Sequence, residues 1–123
     1  MDSDDQLLYR ILDAAHNVHR TLGPGFIEGI YGRALILELK QYGFRVDREK
    51  TVRIWYGTYL VGKHRLDLVV EDSVIIELKA CRSIIPINLA QVTSYLRASN
   101  YKFGIVLNFG TAELQWERIV VND

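Results

Sequence analysis

At 123 residues, 49% apolar and 24% charged, the chain has the composition of one folding unit, large enough for a core but too short for a separate recognition module. Its 15 Lys and Arg offset 15 Asp and Glu, which disfavours nucleic-acid binding by bulk charge yet allows a local basic patch. No apolar run approaches a membrane span and no secretory leader opens the chain, so the cytoplasm is the expected setting. The lone Cys81 excludes an internal disulfide and a cysteine zinc cluster, and is expected to be a buried or half-buried thiol.

Ser3 with Gln6 three residues on has the form of a capping box. Leu7, Leu8, Ile11, Leu12, Ala15, Val18 and Leu22 then recur at helical spacing, predicting a first helix to about Leu22. Gly23-Pro24-Gly25 stops it, and a second helix follows from about Ile27 to Tyr42, with Gly43 just past its end. Arg45 to Glu49 is a weakly signalled strand. Val52 to Tyr56 is a clearer one, followed by a turn at Gly57-Thr58-Tyr59 and a strand from Leu60 onward through Asp67. Val74 to Ala80 is the next strand. Pro86 suits the first position of a third helix to about Ser99, with Leu89, Val92, Thr93 and Leu96 as its buried stripe. Lys102 to Phe109 reads as a central buried strand and Leu114 to Val120 as an edge strand. The order is α, α, a β-meander, α, β, β.

The chemistry concentrates around the turn Glu71-Asp72-Ser73. A three-residue loop centred on Asp72 would pair Val70 with Val74, setting Asp67 opposite Glu77 and Arg65 opposite Lys79. Leu66, Leu68, Val70, Val74, Ile76, Leu78 and Ala80 would then form one apolar face, leaving Arg65, Asp67, Glu77 and Lys79 on the other. Directly opposed like charges are destabilising, and a divalent metal between the carboxylates would relieve them. An edge hairpin with a solvated polar face accounts for the same residues.

Other polar residues carry two readings each. His16 and His19 could nominally begin a zinc site, but nothing completes it, so solvated or capping roles are expected. His64 is a candidate phosphate contact. Arg33, Lys63, Arg65, Arg82 and Arg97 could make a basic rim or be solvated charges. Trp55, Tyr56, Tyr59 and Trp116 are candidates for an exposed homodimer surface.

Three motifs complete a pattern. Gly25-Phe-Ile-Glu28-Gly-Ile-Tyr31 reads G-x-x-E-x-x-Y, Asp67 with Glu77-Leu78-Lys79 reads D-x9-E-x-K, and Gln91-Val-Thr-Ser-Tyr95 reads Q-x-x-x-Y. With Leu-Gly-Pro-Gly at 22–25 and Asn108-Phe-Gly, this resembles the GxxExxY proteins of the PD-(D/E)XK nuclease superfamily, from about Val18 to Phe109. Each motif alone recurs by chance; together, in this order, they are specific. The motif's proline is absent, with Leu66 in its place, and neither His16 nor His19 matches the metal-binding histidine of RecB-like relatives.

The resemblance implies an α/β (α+β), restriction-endonuclease-like αβββαβ core with a mixed sheet and an extra N-terminal helix, in a single domain over 1–123. It implies a nuclease using Mg²⁺ or Mn²⁺ on DNA, with RNA as the lesser alternative, through in-line attack that leaves a 5′-phosphate. Asp67, Glu77 and the Leu78 backbone carbonyl would hold the metal, and Glu28 a water or second ion. Hard oxygen ligands suit those ions, and a lysine beside a dication has its pKa lowered, which suits Lys79 to deprotonating water. Gln91 would hydrogen-bond the water or Lys79, and Tyr95 would contact phosphate, although Tyr95 could equally cap helix–sheet packing. Tyr31 would touch substrate or orient Glu28, or else be a core tyrosine. No membrane partner is expected. The alternative is a non-catalytic nucleic-acid- or protein-binding module on the same fold, homodimeric through its aromatic surface.

Overall fold

The computed structural model describes residues 2–121. Helix α1 (Ser3–Leu22) starts one residue earlier than the Ser3 box implies: the Asp2 carboxylate accepts the Asp5 amide at 2.8 Å. A carboxylate caps the amides and also meets the positive end of the helix dipole. Helix α2 (Glu28–Gln41) is capped by Tyr42 and followed by Gly43, whose φ of 85° suits glycine. Helix α3 (Pro86–Arg97) opens on its proline, with the Asn88 side chain accepting the Ile85 amide at 3.0 Å.

Strands β1 (Val46–Tyr56), β2 (Tyr59–Val70), β3 (Val74–Lys79), β4 (Phe103–Asn108) and β5 (Gln115–Ile119) lie in the order β1-β2-β3-β4-β5. All neighbours are antiparallel except β3 and β4, which are parallel and joined through α3. This is an α+β mixed sheet. The two segments expected before the Gly57 turn are one strand; a φ of 53° at Glu49 kinks it at its fourth residue, within the charged stretch where the strand signal is weakest.

Helices α1 and α2 cover one face and α3 the other. Ile11, Leu12, Val18, Leu35 and Leu39 pack with Leu68, Val70, Val74, Ile76, Leu78 and Leu107 in the first core. Val92 and Leu96 pack with Val52, Leu66, Val69, Ile75, Val106 and Ile119 in the second. Burial on both faces explains why Val74 to Ile76 of β3 and Ile105 to Leu107 of β4 are continuous apolar runs rather than alternating ones. Gly104 lets α3 approach: an added Cβ would lie 2.5 Å from Val92 Cγ1.

The single apolar face expected from Leu66 to Ala80 is broken at one place. Leu66 belongs to the α3-side core while Leu68 and Val70 belong to the α1/α2 core. Two residues apart on a regular strand they would share a face. The irregularity falls at Asp67, between the β1–β2 pairs Lys50–Leu66 and Arg48–Leu68, where the kinked Glu49 stands across from it.

Three further expectations are corrected. Cys81 is exposed, its thiol donating to the Ser83 carbonyl at 3.2 Å. His19 is buried beside Phe109 with Nε2 2.9 Å from the Thr111 carbonyl, so it is neither solvated nor a cap. Trp116 packs against the first core, leaving Trp55, Tyr56 and Tyr59 exposed at the β1–β2 tip.

Candidate active site

The loop after β2 has the expected length. Val70 pairs with Val74, Val69 with Ile75 and Leu68 with Ile76; Glu71 and Asp72 carry the positive φ of the turn. Pairing stops there, although β2 continues along β1 back to Tyr59. Strands β2 and β3 therefore fork immediately beyond Leu68 and Ile76, and Asp67 and Glu77 are the first residues of the fork. Arg65 is not opposite Lys79, as the uninterrupted register required. It pairs with Thr51 on β1 and reaches Glu49 at 3.3 Å, while Lys79 pairs with Asn108 on β4.

Asp67 turns into the gap, its Oδ2 accepting the Leu78 amide at 2.8 Å. In an extended strand a residue's amide and carbonyl point to the same edge, so the Leu78 carbonyl also looks into the fork. Glu77 lies beside Asp67 with its Oε1 buried and without a hydrogen-bond partner. Burial first, and then the neighbouring Asp67 charge, push the Glu77 carboxyl up to about 8, while Lys79 pulls it down. A buried, unpartnered carboxylate oxygen beside a second carboxylate is a site short of positive charge.

On the α1/α2 side, Glu28, Arg33, Arg48, Glu49, Asp67 and Leu78 line a cavity of about 180 Å³. Tyr31 explains how Glu28 reaches it. This ring has no exposed surface, stacks on Phe109 at 4.7 Å, accepts the Phe26 amide and donates to the Gly23 carbonyl. It clamps the loop that opens α2, where Gly25 has a φ of 117° and Glu28 is the first helical residue. Tyr31 is thus a core anchor and not a substrate contact, because nothing of it faces solvent. Gly32 lets α2 press on the fork: a Cβ there would be 3.0 Å from Leu78 Cδ1.

On the α3 side, the Tyr95 and His64 rings stack at 3.9 Å and 15°. Burial, then the charges of Glu77 and Asp67, raise the Tyr95 phenol. His64 Nε2 is buried without a partner, so this atom is not offered to a phosphate from solvent. Gln91 is exposed one turn before Tyr95.

Nothing in the sequence singles out Arg48 and Glu49 as site residues. Their only signal there is the charge-rich, poorly defined stretch of β1, and their placement depends on the kink. Among the described residues no three of His, Cys, Asp and Glu are gathered tightly enough to form a metal cluster. The donors do fit a hard dication: Mg²⁺ is commonly held by one or two carboxylates and keeps several waters. Asp67, Glu77 and the Leu78 carbonyl are oxygen donors of that kind, and Glu77 Oε1 is buried without a protein partner.

A forked mixed sheet with D-x9-E-x-K at the fork defines a nuclease-like class. The chain matches the PD-(D/E)XK nuclease superfamily over residues 5–119 and belongs to that superfamily. Neither the curated proteins nor the solved structures contain a match. Among the described residues no helix is long and apolar enough to cross a membrane.

Proposed function

We propose that the protein is a Mg²⁺- or Mn²⁺-dependent nuclease hydrolysing DNA phosphodiester bonds, and a GxxExxY member of its superfamily. The observation that carries the reading is the buried, unpartnered Glu77 Oε1 beside Asp67, a pair of carboxyl groups whose joint ionisation a cation would favour. When bound at Asp67, Glu77 and the Leu78 carbonyl, the ion would supply a Lewis acid for the phosphoryl oxygens. Lys79, near enough to Glu77 to lower its pKa, is suited to orienting the attacking water and accepting its proton. Glu28 faces the same cavity as Asp67 and can hold that water from the α2 side. Arg33 and Arg48, lining this cavity, are suited to the phosphate. Tyr95, stacked on His64, is close enough to Glu77 and Asp67 for their charges to raise its phenol, and Gln91, one turn earlier on α3, is suited to the water or Lys79.

The test is incubation of the purified protein with single- and double-stranded DNA and with RNA, in Mg²⁺ or Mn²⁺. Cleavage that disappears in Lys79→Ala supports catalysis. No cleavage of any of them, with no metal binding by calorimetry, leaves the non-catalytic binding module instead.

A further inference from the structure

The zero net charge of the chain hides a segregation. From Lys50 to Leu66 there are Lys50, Arg53, Lys63 and Arg65 with no Asp or Glu, so the remainder is correspondingly acidic. The same stretch forms the β1–β2 arm that leaves the sheet at the fork, and its tip exposes Trp55 (55%), Tyr56 (72%) and Tyr59 (75%). Arg53 and Lys63 are direct cross-strand partners, a like-charge pair that is unfavourable unless an anion joins it. Among the described residues neither has an acidic partner, whereas Lys50 is held by Asp72 and Arg65 by Glu49. Beside the arm runs a groove lined by Arg53, Ile54, Trp55, Ser94, Arg97 and Ala98, with a cation on each wall.

We propose that this arm and the C-terminal half of α3 form a cradle for single-stranded nucleic acid, feeding an unpaired strand along β2 to the fork. Arg53 and Arg97, on the two walls of the groove, meet phosphates, and Trp55 stacks a base. Exposed aromatic faces interleaved with cations bind strands whose bases are unstacked; a duplex offers no free base face. This also reconciles binding with zero net charge, since stacking supplies affinity that charge alone cannot. An apolar partner surface accounts for the aromatics but not for the facing cations.

The proposal deepens the nuclease reading and is tested apart from it, by binding without divalent metal. Fluorescence anisotropy of labelled oligothymidine and of a duplex of equal length is followed for the wild type, Trp55→Ala and Arg53→Ala/Arg97→Ala. The expected result is tighter binding of the single strand. Trp55→Ala should weaken it about tenfold while changing duplex binding less than twofold. The double arginine variant should lower the salt slope by roughly 0.7 for each phosphate it no longer neutralises. These side chains lie outside both cores, so the variants fold. Wild-type preference for duplex, or single-strand affinity unchanged in both variants, overturns the cradle whether or not the protein cuts. Loss of a dimer in Trp55→Ala with unchanged strand affinity assigns the tip to a second copy of the chain, and overturns it equally. Cradle binding without cleavage under any metal would leave the cradle standing and remove the nuclease reading.

Discussion

Asp67 accepts the amide of Leu78 at 2.8 Å and so stands where a β2 backbone carbonyl would be if the two strands stayed paired. One side chain thereby satisfies the first amide exposed by the fork and holds a carboxylate in the gap. It also leaves Glu77 next to a negative charge with a buried bare oxygen. Strand divergence and site formation are the same structural event, and both fall at Asp67, across from the positive-φ Glu49 where the β1–β2 pairing skips a position.

Removing either half of the polar machinery should abolish cleavage without unfolding the chain. Lys79→Ala should reduce kcat by about 10²- to 10⁴-fold, the usual contribution of a placed acid–base group. Asp67→Asn keeps an acceptor for the Leu78 amide but removes a charged ligand, so a comparable loss is expected with affinity for DNA within a few-fold. Single-turnover cleavage beside a binding titration checks both. Full activity in Lys79→Ala would remove lysine from the chemistry.

Metal binding should release a proton from Glu77. With its carboxyl at about 8, Glu77 is largely protonated at neutral pH in the metal-free protein. A dication must displace that proton, so about one proton should be released per ion at pH 7 and far fewer at pH 9. Calorimetry in two buffers of different ionisation enthalpy measures this number directly. A buffer-independent heat at pH 7 would contradict the assignment, as would unchanged metal affinity in Glu77→Gln.

The same group predicts an unusual stability profile without metal. Its pKa rises from 4.5 to about 8 on folding, so the folded state retains a proton that the unfolded chain has released. Its favourable contribution is complete below about pH 4.5 and is lost as pH rises through about 8. The metal-free protein should therefore melt several degrees lower at pH 8.5 than at pH 6, and Glu77→Gln should flatten that part of the curve. Added Mn²⁺ should raise the wild-type melting temperature most at the alkaline end.

Much of the fold is legible from local pattern. Leucine and isoleucine spacing locates α1 to within a residue, Pro86 locates the start of α3, and a three-residue turn predicts the Val70–Val74 pair. What is not legible depends on residues far apart in the chain. The change of face at Asp67 needs a positive φ at Glu49, which no residue preference announces, and so strand alternation puts Leu66 in the wrong core. Arg48 and Glu49 join the cavity only because that kink meets α2. Tyr31 stands in a motif that suggests substrate, but a buried hydroxyl with two backbone partners shows that motif spacing can encode loop anchoring instead.

Asn108 offers the sharpest test of how the end of β3 is held. It is completely buried, and its amide accepts from Cys81 and Gly110 at 3.0 Å each and donates to the Cys81 carbonyl and Gln115 Oε1 at 3.1 Å each. It is also the cross-strand neighbour of Lys79, so it ties the lysine's strand end to β4 and to the turn that follows. Gly110 completes this junction, because a Cβ there would overlap the backbone of Ala80 and Cys81. Asn108→Ala strands buried backbone groups and should cost about 2–4 kcal/mol, lowering the melting temperature by roughly 10 °C. Asn108→Asp keeps the acceptor bonds but loses the donors, so its stability at neutral pH should also fall, by leaving the Cys81 carbonyl unpaired. Activity should decline in both beyond what unfolding explains, since Lys79 loses its support. Melting curves for both variants within a degree of wild type would show that the junction holds without Asn108.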